Sequence, residues 1–148
     1  MKKLASSIIG GIAGAVALNI LHQAVKQFDH EAPRVDLVGK EAISKGLENA
    51  GITAPTGNTL FTITMAADLI SNAAYYSLIG AGKRKQLPYI GAITGLAAGV
   101  GALTLTKPMG LSDAPVTRTD KTKILTVAWY TFGGVVAGSV IKALRNKQ

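Results

Sequence analysis

The chain has 148 residues, of which 48% are hydrophobic and only 16% charged, with a formal net charge of +8. Ordinary soluble domains carry about 25% charged residues; here the charges sit between apolar stretches, at segment ends, with no basic helix or aromatic platform, which argues against a nucleic-acid partner. Cysteine is absent, which excludes disulfides, thiolate metal sites and a cysteine nucleophile.

Residues 4–25, 58–82, 88–106 and 124–144 each have the length and apolarity to cross a bilayer, at about 20 residues per crossing. Lys2 and Lys3 before the first stretch, with Ala15-Val16-Ala17 inside it, also fit a secretory signal and its small-residue cleavage site. The apolar run continues through Leu18, Ile20 and Leu21, so a retained span is expected. Near its end Asn19, His22, Gln23 and Lys26 share one helical face.

The connection that follows predicts a helix over residues 34–50. Val35, Val38, Ala42, Ile43, Gly46, Leu47 and Ala50 recur at helical spacing. Asp36, Lys40, Glu41, Lys45 and Glu48 take the opposite face, with Asp36–Lys40 and Glu41–Lys45 as acid-before-base pairs. Pro33 suits the first helical position and Gly51 the end. Such a helix lies on the membrane, lids the bundle, or packs on its own loop in solvent. His22, Asp29, His30, Glu31 and Asp36 cluster as ligand types, but their spacing matches no zinc pattern, so neither metal nor cofactor is expected.

Asp68 stands in the middle of the otherwise uncharged second stretch. A carboxylate at membrane depth is costly and faces a bundle interior or a wet cavity. Thr64, Asp68, Ser71, Asn72 and Tyr75 form its stripe, and this should meet the stripe on the first span, since polar groups left in lipid are costly. Asp68 is about ten residues, roughly 15 Å, in from the loop side, and Asn19 about six residues, roughly 9 Å. The two stripes would line a funnel ending at Asp68, with Asn72 and Asn19 as partners, His22 as a shuttle and Gln23, Thr64 and Tyr75 along the wall. The alternative is a hydrogen-bonded clamp between helices.

Glycines repeat every four residues at Gly10 and Gly14, at Gly91, Gly95 and Gly99, and at Gly134 and Gly138. Small residues so spaced let helix backbones approach closely. They predict seams within the chain, or contacts with a second copy. Residues 107–123, with Pro108, Gly110, Pro115, Asp113 and Asp120, read as a turn-rich connection. No internal repeat supports an inverted-repeat transporter, and no nucleophile-elbow or phosphate-loop motif marks an enzyme.

Four spans place both termini and the 83–87 loop on one side, with Lys2, Lys3, Lys83, Arg84, Lys85, Lys142, Arg145 and Lys147 and no acid. The other side holds every acid except Asp68, together with Lys26, Arg34, Lys40, Lys45, Lys107, Arg118, Lys121 and Lys123. The counts of basic residues tie; the dense Lys83-Arg84-Lys85 run in a short loop makes the termini side the cytoplasmic one.

Leu21-His22-Gln23, followed by Ala32-Pro33-Arg34-Val35-Asp36-Leu37 and Gly39, resembles a run in a group of small bacterial multi-span inner-membrane proteins of unassigned activity. The resemblance covers about the first third of the chain. It implies a bacterial inner-membrane protein and draws interest to Arg34 and Asp36 as a lid contact over the funnel.

The expectation is an all-α, four-transmembrane-helix bundle in a single domain, with an amphipathic interfacial helix after the first span. Its partners would be the bilayer and a second copy or other membrane proteins. The leading function is a structural or accessory role through glycine-rich packing; the alternative is a carrier or channel for protons, cations or a small polar solute at Asp68.

Overall fold

The computed structural model describes residues 1–145, and every regular element among them is helical. Lys147 lies outside the described residues. The helices are α1 (Lys3–Val25), α2 (Val35–Asn49), α3 (Gly57–Ser77), α4 (Leu87–Thr104), α5 (Ala114–Thr117) and α6 (Asp120–Leu144). Two 3-10 turns, Leu78–Ala81 and Arg84–Gln86, join α3 to α4.

Local chemistry sets the ends. α6 starts at Asp120, ahead of its apolar run, because the Thr119 hydroxyl accepts the Thr122 N–H at 3.0 Å. Gly51 adopts φ +76°, the left-handed conformation that ends a helix cheaply only for glycine. Pro33 does not open α2 as its type suggested. Arg34 is the cap, and its N–H donates to the Pro115 carbonyl at 3.0 Å; the helix begins at Val35.

Three helical segments are long and apolar enough to cross a membrane: Lys3–Val25, Arg84–Thr104 and Asp120–Leu144. α3, at 21 residues, is not among them, because its threonines, Asp68, Ser71 and Asn72 lower its apolarity. The long helices form a row, α3 beside α1, α1 beside α6, α6 beside α4, with only sparse contact between α3 and α4.

Glycine makes the row tight. A Cβ at Gly91, Gly95 or Gly99 would strike the α6 backbone at Gly134, Tyr130 and Val127 respectively. Gly134 faces Gly91 and Gly95 in return, and Gly138 faces the Leu87 carbonyl. Gly10 and Gly14 meet Ala137, Ile141 and Gly133 of α6. Every glycine expected to pack is thus taken up inside the chain. Gly11, Gly80 and Gly133 add to the seams: Gly11 abuts Ala73 and Ser77 of α3, and Gly133 sits under Tyr76.

Glycines and a few large side chains (Leu18, Tyr76, Ile79, Leu87, Ile141) fill the centre. Many large apolar residues point outward: Leu4, Ile8, Ile12 and Ile20 on α1, Ile93 and Leu96 on α4, Phe132 and Val135 on α6. A protein in water would bury these; in lipid nothing drives them inward.

At the termini end Arg145 ties three elements together. Its guanidinium donates to the Gly82 carbonyl at 3.0 Å, to the Gly80 carbonyl, and to the Ser6 and Ser7 hydroxyls at 3.4 Å each. The Arg145 carbonyl accepts Arg84 Nε at 2.9 Å. At the other end the two long loops dock on each other. Arg118 donates to the His30 and Ala32 carbonyls at 2.6 Å, and Lys121 pairs with Asp29 at 2.8 Å and Glu31 at 3.4 Å.

Candidate functional site

Because α3 and α4 hardly touch, a gap opens between them toward the loop end, and α2 lies over it. The resulting cavity has a volume of about 400 Å³. The size suits a small molecule, since ligand pockets span roughly 300–1,000 Å³. Its walls come from α1 (Asn19, His22, Gln23, Lys26), α2 (Val35, Asp36, Val38, Gly39, Ala42), α3 (Thr64, Met65, Asp68, Ser71) and α4 (Gly101, Ala102). Leu105, Met109, Leu111, Val116 and Tyr130 complete an otherwise apolar lining. The void exists because small residues face it; Gly39 lies so close to Thr64 that a Cβ there would come within 2.7 Å of its methyl group.

Asp68 is where the two polar stripes meet. Its Oδ2 accepts Asn19 Nδ2 at 2.7 Å, and its Oδ1 accepts Asn72 Nδ2 at 3.0 Å. Both donors are neutral amides, so the carboxylate is held without a countercharge. Ser71 turns its hydroxyl back to the Asp68 carbonyl at 3.1 Å. Gln23 donates to the sulfur of Met65 at 3.5 Å, a weak contact that leaves its amide largely unspent.

Other expected wall residues sit differently. Tyr75 leaves the funnel and donates to the Thr94 carbonyl at 3.0 Å, one of the few links between α3 and α4. Asn72 supports Asp68 without lining the cavity. His22 is buried at 7% exposure rather than near the surface, with its ring 5.0 Å from that of Trp129 and 5.9 Å from that of Tyr130. Its Nε2 has no hydrogen-bond partner, and neither does Oγ1 of Thr64, a residue only 2% exposed. With no donor or acceptor at Nε2, His22 does not relay to Asp68 through protein atoms. An unpaired buried polar atom costs about 1–3 kcal/mol, so each of these is a demand the fold leaves open.

Arg34 and Asp36 form a bidentate pair at the cavity mouth, Arg34 Nε–Oδ1 at 2.9 Å and Arg34 Nη2–Oδ2 at 2.8 Å. Lys26 Nζ adds a contact at 3.6 Å. Asp36 therefore does not pair with Lys40 as the helical spacing suggested: the planar guanidinium matches both carboxylate oxygens. Lys40 instead lies over the Phe61 ring, 5.3 Å from its centre. Glu41 and Lys45 do pair, at 2.7 Å.

Burial pushes the Asp36 carboxyl up, but hydrogen bonding from Arg34 and the charges of Arg34, Lys26 and Lys40 outweigh it and hold it below the usual carboxylate range. A depressed native pKa stabilises the fold above the unfolded value of about 3.9, and that contribution is lost as pH falls through the native value. Melting of the detergent-solubilised protein should weaken in acid below about pH 4. Asp36→Asn should lower the melting temperature at neutral pH and flatten the acid limb. An unchanged limb would assign the acid sensitivity to another group.

Among the described residues, no three His, Asp or Glu side chains come together that could hold a metal ion. Asp29 and Glu31 are engaged by Lys121, and Asp36 by Arg34. No family model, curated protein or solved structure matches the chain.

Proposed function

We propose that this chain is a four-span membrane protein that binds a small molecule in a cavity open only toward its loop end. The observation that carries this reading is the cavity of about 400 Å³, whose lining includes Asp68 and two residues with a buried, unpartnered polar atom, His22 (Nε2) and Thr64 (Oγ1). Below Asp68, toward the termini, the tight α1–α3 and α1–α6 seams, Tyr76 and Leu18 fill the bundle, which favours binding over a continuous channel. Oligomerisation through glycine ridges is disfavoured, because those glycines are occupied by the chain's own helices.

α3 is the fourth crossing in this reading. It runs beside α1 over a similar length and turns Ile63 and Ile70 outward, while Thr64, Asp68 and Asn72 face inward or the cavity. α2 is the lid, outside the hydrocarbon. The termini end, with Lys2, Lys3, Lys83, Arg84, Lys85, Lys142 and Arg145 and no acid, is cytoplasmic. The resemblance to bacterial inner-membrane proteins supports that membrane as its location. A packing or accessory protein is the competing reading, favoured by the two amide bonds that occupy Asp68. It leaves Thr64 and His22 without an explanation.

The cysteine-free sequence makes the test clean. Met65→Cys should react with a membrane-impermeant maleimide added outside intact cells. Ala15→Cys, fully buried beneath the cavity, should react only after denaturation. An unreactive Met65→Cys would remove the open cavity, and labelling only from the cytoplasmic side would reverse the orientation.

A further inference from the structure

We infer that the ligand of this cavity is a primary ammonium compound with an apolar body. The inference rests on the cavity being a ligand site, as proposed above, and concerns what chemistry it selects.

Three polar groups in the walls stand without a full set of partners, while Asn19, Lys26, Asp36 and Ser71 are engaged by the protein and Gln23 only weakly. Each oxygen of the Asp68 carboxyl accepts one neutral amide, at 2.7 and 3.0 Å, leaving further lone pairs free. No Lys or Arg bonds or pairs with it; Lys26, in the cavity wall, is engaged by Asp36 at 3.6 Å. Thr64 Oγ1 accepts as well as donates, and an imidazole such as that of His22 can accept at one ring nitrogen. Both are buried and unpartnered. A primary ammonium brings a positive charge and three N–H donors, which answer the missing countercharge and the open acceptors together. A carboxylate or phosphate ligand would bring a second acid to Asp68, which has no basic partner. A purely apolar ligand would leave Thr64 and His22 as they are.

The rest of the lining selects an apolar body. Val35, Val38, Ala42, Met65, Leu105 and Val116 line the remaining space. Two of the wall groups lie against a built-in reporter: the ring of His22 packs on Trp129, the single tryptophan, and Tyr130 follows it in the chain.

Phenethylamine and its neutral counterpart phenethyl alcohol are the probes, titrated against the detergent-solubilised full chain with Trp129 fluorescence as the readout. The amine should bind at least about tenfold tighter than the alcohol. Asp68→Asn should abolish that preference. Thr64→Val guards against a folding defect, because it keeps the side-chain shape and removes an unpaired hydroxyl. It should raise the melting temperature of the empty protein and weaken amine binding by about tenfold, the weight of one charge-assisted hydrogen bond. A residue that merely packs would not give that opposed pair of effects. Equal binding of amine and alcohol, or no binding of the amine, overturns the ammonium assignment. The cavity reading falls separately, only if Met65→Cys also stays unlabelled.

Discussion

A Gly134→Leu chain is expected not to form the native bundle. A Cβ at Gly134 overlaps the Gly91 carbonyl oxygen and comes within 3.0 Å of Gly91 C and Gly95 N. These are backbone atoms of a facing helix, so no rotamer change relieves the overlap. The α4 and α6 axes must separate, and every contact along Gly91, Gly95 and Gly99 loosens with them. Overpacked sites ordinarily lose about 1–3 kcal/mol; a rigid backbone on the far side puts this one at or above about 3 kcal/mol. Gly95→Leu, which would strike Tyr130 and Thr131, should behave alike. Gly46→Leu, where a Cβ meets nothing within 4 Å, is the control. Denaturation in mixed micelles, followed by Trp129 fluorescence and helical circular dichroism, reads the difference. Native-like midpoints for Gly134→Leu would refute the seam.

The second large effect lies at the opposite pole of the row. Arg145→Ala should cost roughly 2–3 kcal/mol, the loss of charge-assisted hydrogen bonds at a site of limited water access. The carbonyls of Gly80 and Gly82 would lose their donor just where the 3-10 turn has already given up regular helical bonding. Arg145→Lys should recover only part of the loss, because an ammonium is a point charge and cannot span carbonyls on one side and the Ser6 and Ser7 hydroxyls on the other. The denaturation midpoint again decides: equal midpoints for wild type and Arg145→Ala would leave the guanidinium without a structural role.

The glycine seams were readable from spacing alone, because a four-residue repeat puts a groove on one face whatever lies opposite. Asn19 meeting Asp68 was readable for a related reason: two polar stripes on consecutive helices have few other partners. His22 was not. Its neighbours, Trp129 and Tyr130, come from α6, far along the chain, and nothing near His22 announces them. The Arg145 hub was equally hidden, since backbone carbonyls carry no residue signature. Asp36 shows a rule overridden: helical spacing favoured Lys40, and the fork of Arg34 won by geometry. The cavity left only a faint trace, the small residues Gly39, Ala42, Gly101 and Ala102 on faces that otherwise read as ordinary helix.

The row of helices also bears on how such a protein is made. α6 is synthesised after the other long helices described, yet it sits between α1 and α4 and closes both of the most extensive seams. Until it arrives, the grooves at Gly10 and Gly14 and at Gly91, Gly95 and Gly99 have nothing to receive. Assembly therefore waits for the synthesis of α6. A nascent chain stalled after α4 presents its future interior to lipid, and a single late helix converts that open array into the finished bundle.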